Sequence, residues 1–405
     1  MRILDITIGF LLFLVGYCYV LYPIVIRLLA KLFPKPSLID ESYRPTVSII
    51  LAVYNEELVL DRCMESLLGF DYPKELIEII IGSDGSTDRT NEILSDYNKQ
   101  YHFVKPFCFS EQRGKMMVLN DIVTKATGDI LFFADADITL STNTLKTQIR
   151  HFADPDIGAV GGSYHIHFDD SRKGLSHSEK EYASLEQNIR RNEALFSSSV
   201  NVFGGNYSIR QALWLPLPDP LVHDDTYVAY NVMNRGKRVF FEPESVSTDL
   251  FNRSLKDEFR RKSRSASRGY HTLSFFPKLA GISGGKNSFL LWSHKILRWL
   301  SPLLISAVSI LCIIGVVVYG SLGYSLILSV LIFAAIVTII GMILEKYNIR
   351  VPLIRQCTWL VIMNIAYMVG TFKFLLKTDE GIWSQATRPV LSDSSYPLKE
   401  AVDIK

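Results

Sequence analysis

Ile6 to Ile26 runs without a charged residue, and Leu300 to Leu344 does so over more than twice that length. A helix that crosses a bilayer needs about 20 apolar residues. The first stretch therefore predicts one span, and the second predicts two spans broken near Gly320-Ser321-Leu322-Gly323. A third apolar run, Gln356 to Phe372, is bounded by Arg355 and Lys373 and sits at the lower length limit for crossing. The N-terminal run is too long for a secretory core and no small-residue cleavage site follows it, so it is read as an anchor.

Between the long runs the pattern changes. Pro45 to Asp249 alternates short apolar runs with helix-like segments, which predicts an α/β domain with a largely parallel sheet. Thr46 to Val53 is near-continuously apolar, as a strand covered on both faces should be. Tyr54-Asn55-Glu56-Glu57 follows it and is expected to open a helix reaching about Phe70. A second strand, Leu76 to Gly82, leads into Ser83-Asp84-Gly85-Ser86-Thr87-Asp88-Arg89-Thr90. Gly114-Lys115 precedes a helical stretch through Thr124, and Ile130 to Ala134 ends in Asp135-Ala136-Asp137. Polar clusters that follow strands of one parallel sheet share a rim, where such sheets keep their chemistry.

Composition sharpens this picture in places. Of 405 residues, 48% are hydrophobic, and the excess lies in the long runs. The net charge of +2 says little about partners, and no nucleic acid is expected among them. Arg27, Lys31, Lys35 and Arg44 follow the first span, and Lys286, Lys295 and Arg298 precede the second, which puts the middle of the chain in the cytoplasm. The five cysteines are scattered with no C-x-x-C pair, so neither a disulfide framework nor a zinc site is indicated.

The candidate chemistry sits at the strand ends. Asp135 and Asp137, two residues apart where a strand gives way to a loop, can converge on one Mg²⁺ or Mn²⁺, a hard cation that usually also holds substrate phosphates. Asp84 stands at a strand end beside Gly85, and Gly114-Lys115 at a helix start could receive a phosphate. His165 and His167 alternate on a presumed strand without a third ligand at a suggestive spacing and are given no role.

Taken together, Val53-Tyr54-Asn55-Glu56-Glu57, Asp84 to Thr90, Gly114-Lys115 with Asn120, and Asp135-Ala136-Asp137 resemble family 2 glycosyltransferases with the GT-A fold. The similarity is to the membrane-embedded hyaluronan, chitin, cellulose and poly-N-acetylglucosamine synthases. The resemblance implies that Asn55, Glu57, Asp84, Lys115 and Asp135 line a nucleotide-sugar pocket and that Asp137, with Asp135, holds the metal. Val202-Phe203-Gly204-Gly205-Asn206-Tyr207 is similar to an acceptor segment, which assigns Gly204, Gly205 and Asn206 to the acceptor. His223-Asp224-Asp225-Thr226 resembles the family's acidic base motif, with Asp225 as general base, Asp224 in support and His223 where a threonine is usual.

Two departures bear on the product. Where the processive synthases carry Q-x-x-R-W, Arg261 stands for the glutamine, Arg264 matches the arginine and Ser265 replaces the tryptophan. Both arginines remain diphosphate partners by their geometry. Trp383-Ser384-Gln385-Ala386-Thr387-Arg388 is similar to a gating segment that closes over the nucleotide, assigning Trp383 and Arg388 to the donor if the third C-terminal run does not cross. Arg253 to Arg268 carries seven basic residues beside an apolar face and reads as an interfacial helix on membrane lipids.

The expected organisation is an N-terminal transmembrane anchor at 1–33 and a cytoplasmic GT-A (nucleotide-diphospho-sugar transferase) α/β domain at 45–250. Interface helices at 251–298, transmembrane or interfacial helices at 299–376 and a cytoplasmic tail at 377–405 follow. The setting is a bacterial plasma membrane. The expected activity is inverting transfer from a nucleotide-diphosphate sugar, a UDP-sugar by the resemblance, to a growing β-linked polysaccharide or glycan. Single addition to a lipid or lipid-linked acceptor is the alternative. A nucleotide-sugar-sensing transporter without turnover would carry ionisable residues inside its spans, and Leu300 to Leu344 has none.

Overall fold

Every residue of Val47–Val53 is buried, and the two faces of this strand bury into different layers. Ile49, Leu51 and Val53 pack with Leu60, Cys63, Met64 and Leu67 of the helix Leu60–Leu68. Ile50 and Ala52 point the other way, into Val118, Leu119 and Ile122 of the helix Lys115–Val123. That is the period-two alternation of a strand sandwiched between helices.

The computed structural model describes residues 2–166, 176–218, 221–249, 255–347, 349 and 351–379. Among them, one sheet contains β1 (Val47–Val53), β2 (Ile77–Asp84), β3 (Val104–Phe109), β4 (Ile130–Ala134), β5 (Ile138–Leu140), β6 (Ile157–Ile166), β7 (Asn206–Arg210) and β8 (Arg238–Asp249). Their order is β3-β2-β1-β4-β7-β6-β8-β5. β3, β2, β1 and β4 run parallel, whereas β7 is antiparallel to both β4 and β6. Strand order turns between β1 and β4, so the crevice at their carboxyl ends is where a ligand is expected. The alternating pattern predicts a largely parallel sheet. The α/β architecture is as expected, but the sheet is mixed, with parallel pairing through β3-β2-β1-β4 and between β6 and β8 and antiparallel pairing elsewhere.

Gly82 in β2 lets the helix Lys115–Val123 lie close to the sheet, since a Cβ there would collide with Val118 and Ile122. The helix after β1 begins at Leu60 and not at Glu56. The Glu56 and Glu57 amides donate instead to Thr90 Oγ1 at 2.8 Å and Asp88 Oδ2 at 3.1 Å, so the first expected turn becomes a loop laced to its neighbour.

Four helical stretches, Arg2–Leu32, Ile282–Tyr319, Leu322–Lys346 and Pro352–Leu376, are long and apolar enough to cross a membrane by length and composition. The second and third form a hairpin closed at Gly320, whose φ of 60° is left-handed. A buried ionic cluster ties the first two to the α/β domain through the helix Ser176–Phe196. Glu186 accepts from Lys295 at 2.7 Å, Arg298 at 2.9 Å and pairs with His294 at 2.8 Å, while Glu193 accepts from Tyr22 at 2.5 Å.

The fourth stretch has a different disposition. Gly341 sits against Ile354 and Thr358, Ser301 donates to Asn364 at 2.7 Å, and Tyr367 packs with Trp299. Ser301 and Gly341 both lie toward the ends of the hairpin remote from Gly320. From 354 to 367 this helix advances about 20 Å while staying level with those ends. It then continues onto the helix Leu255–Ser274, where Gly370 contacts Ser263 and Ala266 and Phe374 stacks on Tyr270 at 5.4 Å. It therefore passes across the hairpin's ends on the side of the α/β domain and does not run alongside the hairpin.

Candidate active site

The loops after β1 and β2 are knitted together before any ligand is considered. Asn55 adopts a left-handed φ of 52°, a conformation asparagine tolerates better than most residues. Its Oδ1 accepts the Thr87 amide at 2.8 Å, and its own amide donates to Ser86 Oγ at 3.1 Å. Glu57 Oε2 accepts the Arg89 amide at 3.1 Å. Asn55 and Glu57 thus stand at the rim and shape it through the backbone of the neighbouring loop.

Asp84, fully buried at the end of β2, accepts the Arg113 amide at 2.7 Å on one oxygen and the Gly114 amide at 2.8 Å on the other. It holds the turn that launches Lys115–Val123, so its part in the pocket, in this arrangement, is indirect. Lys115, the first residue of that helix, is where the acid motifs meet. Its Nζ lies 2.8 Å from Asp135 Oδ1 and 2.9 Å from Asp224 Oδ2. Burial opposes the ammonium charge, but Asp135 and Asp224 outweigh it and hold the group above the ordinary lysine value. Asp224, in the first turn of the helix Asp224–Asn234, is penalised by burial, yet Lys115 drives its carboxyl from 3.8 down to about 2.

Asp135 and Asp137 leave β4 together, both half-buried. Cys63 lies beneath them and donates to the Asp135 carbonyl at 3.7 Å. Burial pushes its thiol up, and the charges of Asp137 and then Asp135 push it further.

Beside Asp135 is a shelf made by Gly204 and Gly205. A Cβ on Gly204 would come 3.4 Å from Asp225 Oδ2, and one on Gly205 would come 3.2 Å from Asp135 Oδ2 and 2.8 Å from Ile138. The glycines thus let the backbone lie close to both the acid that follows β4 and the acid of the next motif. Asp225 Oδ1 is turned away, paired with His223 Nδ1 at 2.5 Å and accepting from Thr226 Oγ1 at 3.0 Å. His223, Asp224 and Asp225 offer ligand atoms within 4.8 Å of one another, but Lys115 occupies Asp224 and the imidazole occupies Asp225.

Other expected residues fall elsewhere. Asn206, assigned to the acceptor, is fully buried: its amide spans Ser163, Ser245 and Gln148 inside the sheet, so it supports the glycine shelf from behind. Arg261, assigned to the donor, is forked onto Glu258 of its own helix at 2.8 and 2.7 Å. Arg264 is exposed. Helix Leu255–Ser274 meets the site through Thr272, whose Oγ1 accepts the His223 amide at 2.9 Å, about two turns beyond Arg264 and three beyond Arg261. Trp383 and Arg388 lie outside the described residues, as does His167. The Lys115 bridge and the His223–Asp225 pair are what the sequence reading did not foresee; the histidine's departure from the family pattern was the available signal.

Residues 48–214 match the glycosyl transferase family 2 model. The chain is 27% identical over 278 residues to the poly-beta-1,6-N-acetyl-D-glucosamine synthase of Staphylococcus epidermidis, covering 64% of this chain and 66% of that protein. It is 29% identical over 237 residues to the enzyme of the same description from Staphylococcus aureus, covering 56% of this chain and 55% of that one. The chain thus spans just under two thirds of the first relative and little over half of the second. A mannosyltransferase from Pyrobaculum calidifontis, solved in complex with GDP-Man and Mn2+, shares the fold with a TM-score of 0.68 at 19% identity, over 92% of this chain and 100% of that one.

Proposed function

We propose, from the match of residues 48–214 to the glycosyl transferase family 2 model and from the shared fold, that the chain is a family 2 glycosyltransferase which transfers an N-acetylhexosamine from a UDP-sugar to a β-linked glycan with inversion. The observation that carries this reading is the shared glycine shelf, with Asp225 Oδ2 on one side and Asp135 Oδ2 on the other. The acceptor hydroxyl sits over Gly204 and gives its proton to Asp225 Oδ2 as its oxygen bonds to the anomeric carbon. The bond from that carbon to the diphosphate breaks, and its electron pair leaves with the diphosphate. One base and one attack give inversion. Lys115 holds Asp135 and Asp224 in register across the crevice.

The residues fit a divalent cation. Asp135 and Asp137 offer hard carboxylate oxygens just past the end of β4, and Lys115 engages Asp135 through Oδ1. A Mn²⁺ or Mg²⁺ held there would stabilise the charge that develops on the diphosphate. The donor identity follows the staphylococcal relatives. Purified protein supplied with UDP-N-acetylglucosamine, UDP-glucose, UDP-N-acetylgalactosamine and GDP-mannose is expected to release nucleotide from UDP-N-acetylglucosamine and to stop on chelation with EDTA. Sizing the product separates polymer from a single added sugar, the reading favoured by Ser265 in place of an aromatic platform. No nucleotide release from any of the four sugars would overturn the transferase reading.

In the proposed setting the α/β domain is cytoplasmic, Arg2–Leu32 and the hairpin cross the membrane, and Pro352–Leu376 lies in the interface. Its contacts with Ser263, Ala266 and Tyr270 support that placement, with Leu353, Leu360, Phe372 and Leu376 left exposed to lipid. The tail bearing Trp383 and Arg388 then stays on the catalytic side. Thr378→Cys should react with an impermeant maleimide from the same membrane face as the exposed native Cys108; labelling from the opposite face would mean that the helix crosses.

A further inference from the structure

We infer that His223 is the positioning residue of the general base, clamping one oxygen of Asp225 so that the other faces the acceptor; this rests on the transferase reading above. The two oxygens of Asp225 have different surroundings. Oδ1 meets two groups, the His223 imidazole at 2.5 Å and the Thr226 hydroxyl at 3.0 Å. Oδ2 points toward Gly204. A carboxylate fixed through one oxygen cannot rotate its second away from the shelf without breaking both contacts.

The imidazole is itself held in place. His223 precedes the helix Asp224–Asn234, and its amide donates to Thr272 Oγ1 at 2.9 Å, which anchors the residue to a second helix. Thr272 donates onward to the Arg268 carbonyl at 2.7 Å. A carboxylate oxygen only accepts, so Nδ1 carries a proton and donates it to Asp225; the side chain is 30% exposed.

His223 therefore acts on the rate through Asp225 without touching the reacting atoms. The charged groups around the ring are Asp225 and Asp224, whose Oδ1 is 3.9 Å from Nδ1, with Lys115 on the far side of Asp224. From the packed helix, the charged or titratable residues within four positions of Thr272 are Arg268, Tyr270 and His271.

Two variants of the full-length enzyme in lipid nanodiscs test the assignment. His223→Ala removes the clamp and is expected to lower kcat about 10- to 100-fold, with the KM for donor changed by less than about threefold. His223→Asn keeps an amide donor near the Nδ1 position. It should retain kcat within about threefold, a rescue that loss of the ring from a merely structural site would not give. An alanine variant with wild-type kcat, or a loss confined to KM, would overturn this inference alone. So would an asparagine variant as slow as alanine. Wild-type activity carried equally by Asp225→Asn would instead overturn the base assignment beneath it.

Discussion

Asp225→Asn is expected to abolish sugar transfer while leaving donor binding intact. The substitution keeps the size of the side chain, so its oxygen can still accept from His223 and Thr226 and the glycine shelf keeps its shape. What it loses is the ability to take a proton at the atom facing Gly204. General-base catalysis contributes roughly 10² to 10⁴ in rate, so nucleotide release coupled to transfer should fall by about a thousandfold. Calorimetric titration with the donor and metal should return an affinity within about threefold of the wild type, because no donor contact is assigned to Asp225. A variant that kept a tenth of the wild-type rate would remove Asp225 from the role.

Lys115→Met should destroy both activity and stability, for a reason that Asp225 does not share. The buried ammonium is the counter-charge for Asp135 and Asp224 together. Removing one partner of a buried ion pair costs about 3–5 kcal/mol, because the remaining charge is left without compensation. The double variant Lys115→Met with Asp224→Asn should recover much of the lost melting temperature and none of the turnover, which separates the electrostatic cost from the catalytic one.

The pH dependence follows from the sign of the shift. Asp224 has its carboxyl lowered in the folded state, from 3.8 to about 2. Its contribution is therefore complete above about pH 4 and is lost as the pH falls through about 2. Melting temperatures scanned from pH 5 to pH 2 should show this loss in the wild type and not in Lys115→Met. A parallel fall in both proteins would place the acid sensitivity elsewhere.

Asp135-Ala136-Asp137, Gly204-Gly205 and Asp224-Asp225, which meet around one crevice, were all legible in the chain because each is a short run at a strand or helix end. Asn206 was misplaced for an instructive reason. It follows the two glycines in sequence, but as the first residue of β7 it takes the face of the sheet on which Gln148, Ser163 and Ser245 use its amide, while Tyr207 takes the other. Alternation along the strand, and not nearness to the glycines, decides where its side chain goes. Arg261 was placed with the donor by its position in a motif, although Glu258 three residues earlier on the same helix was a readable competitor for the guanidinium.

The sequence by itself determined the order of the apolar runs, the strand-end acids, the break at Gly320 and the loss of the aromatic platform at Ser265. These depend on composition and period over a few residues, and they persist whatever the segments pack against. Only the tertiary structure decided that Lys115 joins Asp135 to Asp224, that His223 clamps Asp225 while anchored by Thr272, and that Pro352–Leu376 crosses the hairpin's ends. The lysine bridge, the threonine anchor and the helix crossing unite groups distant in sequence, and the clamp spans two residues whose side chains meet only in one local geometry. Hydropathy counts how apolar a helix is, but its direction is set by the neighbours that its small residues, Gly341 and Gly370, allow to approach.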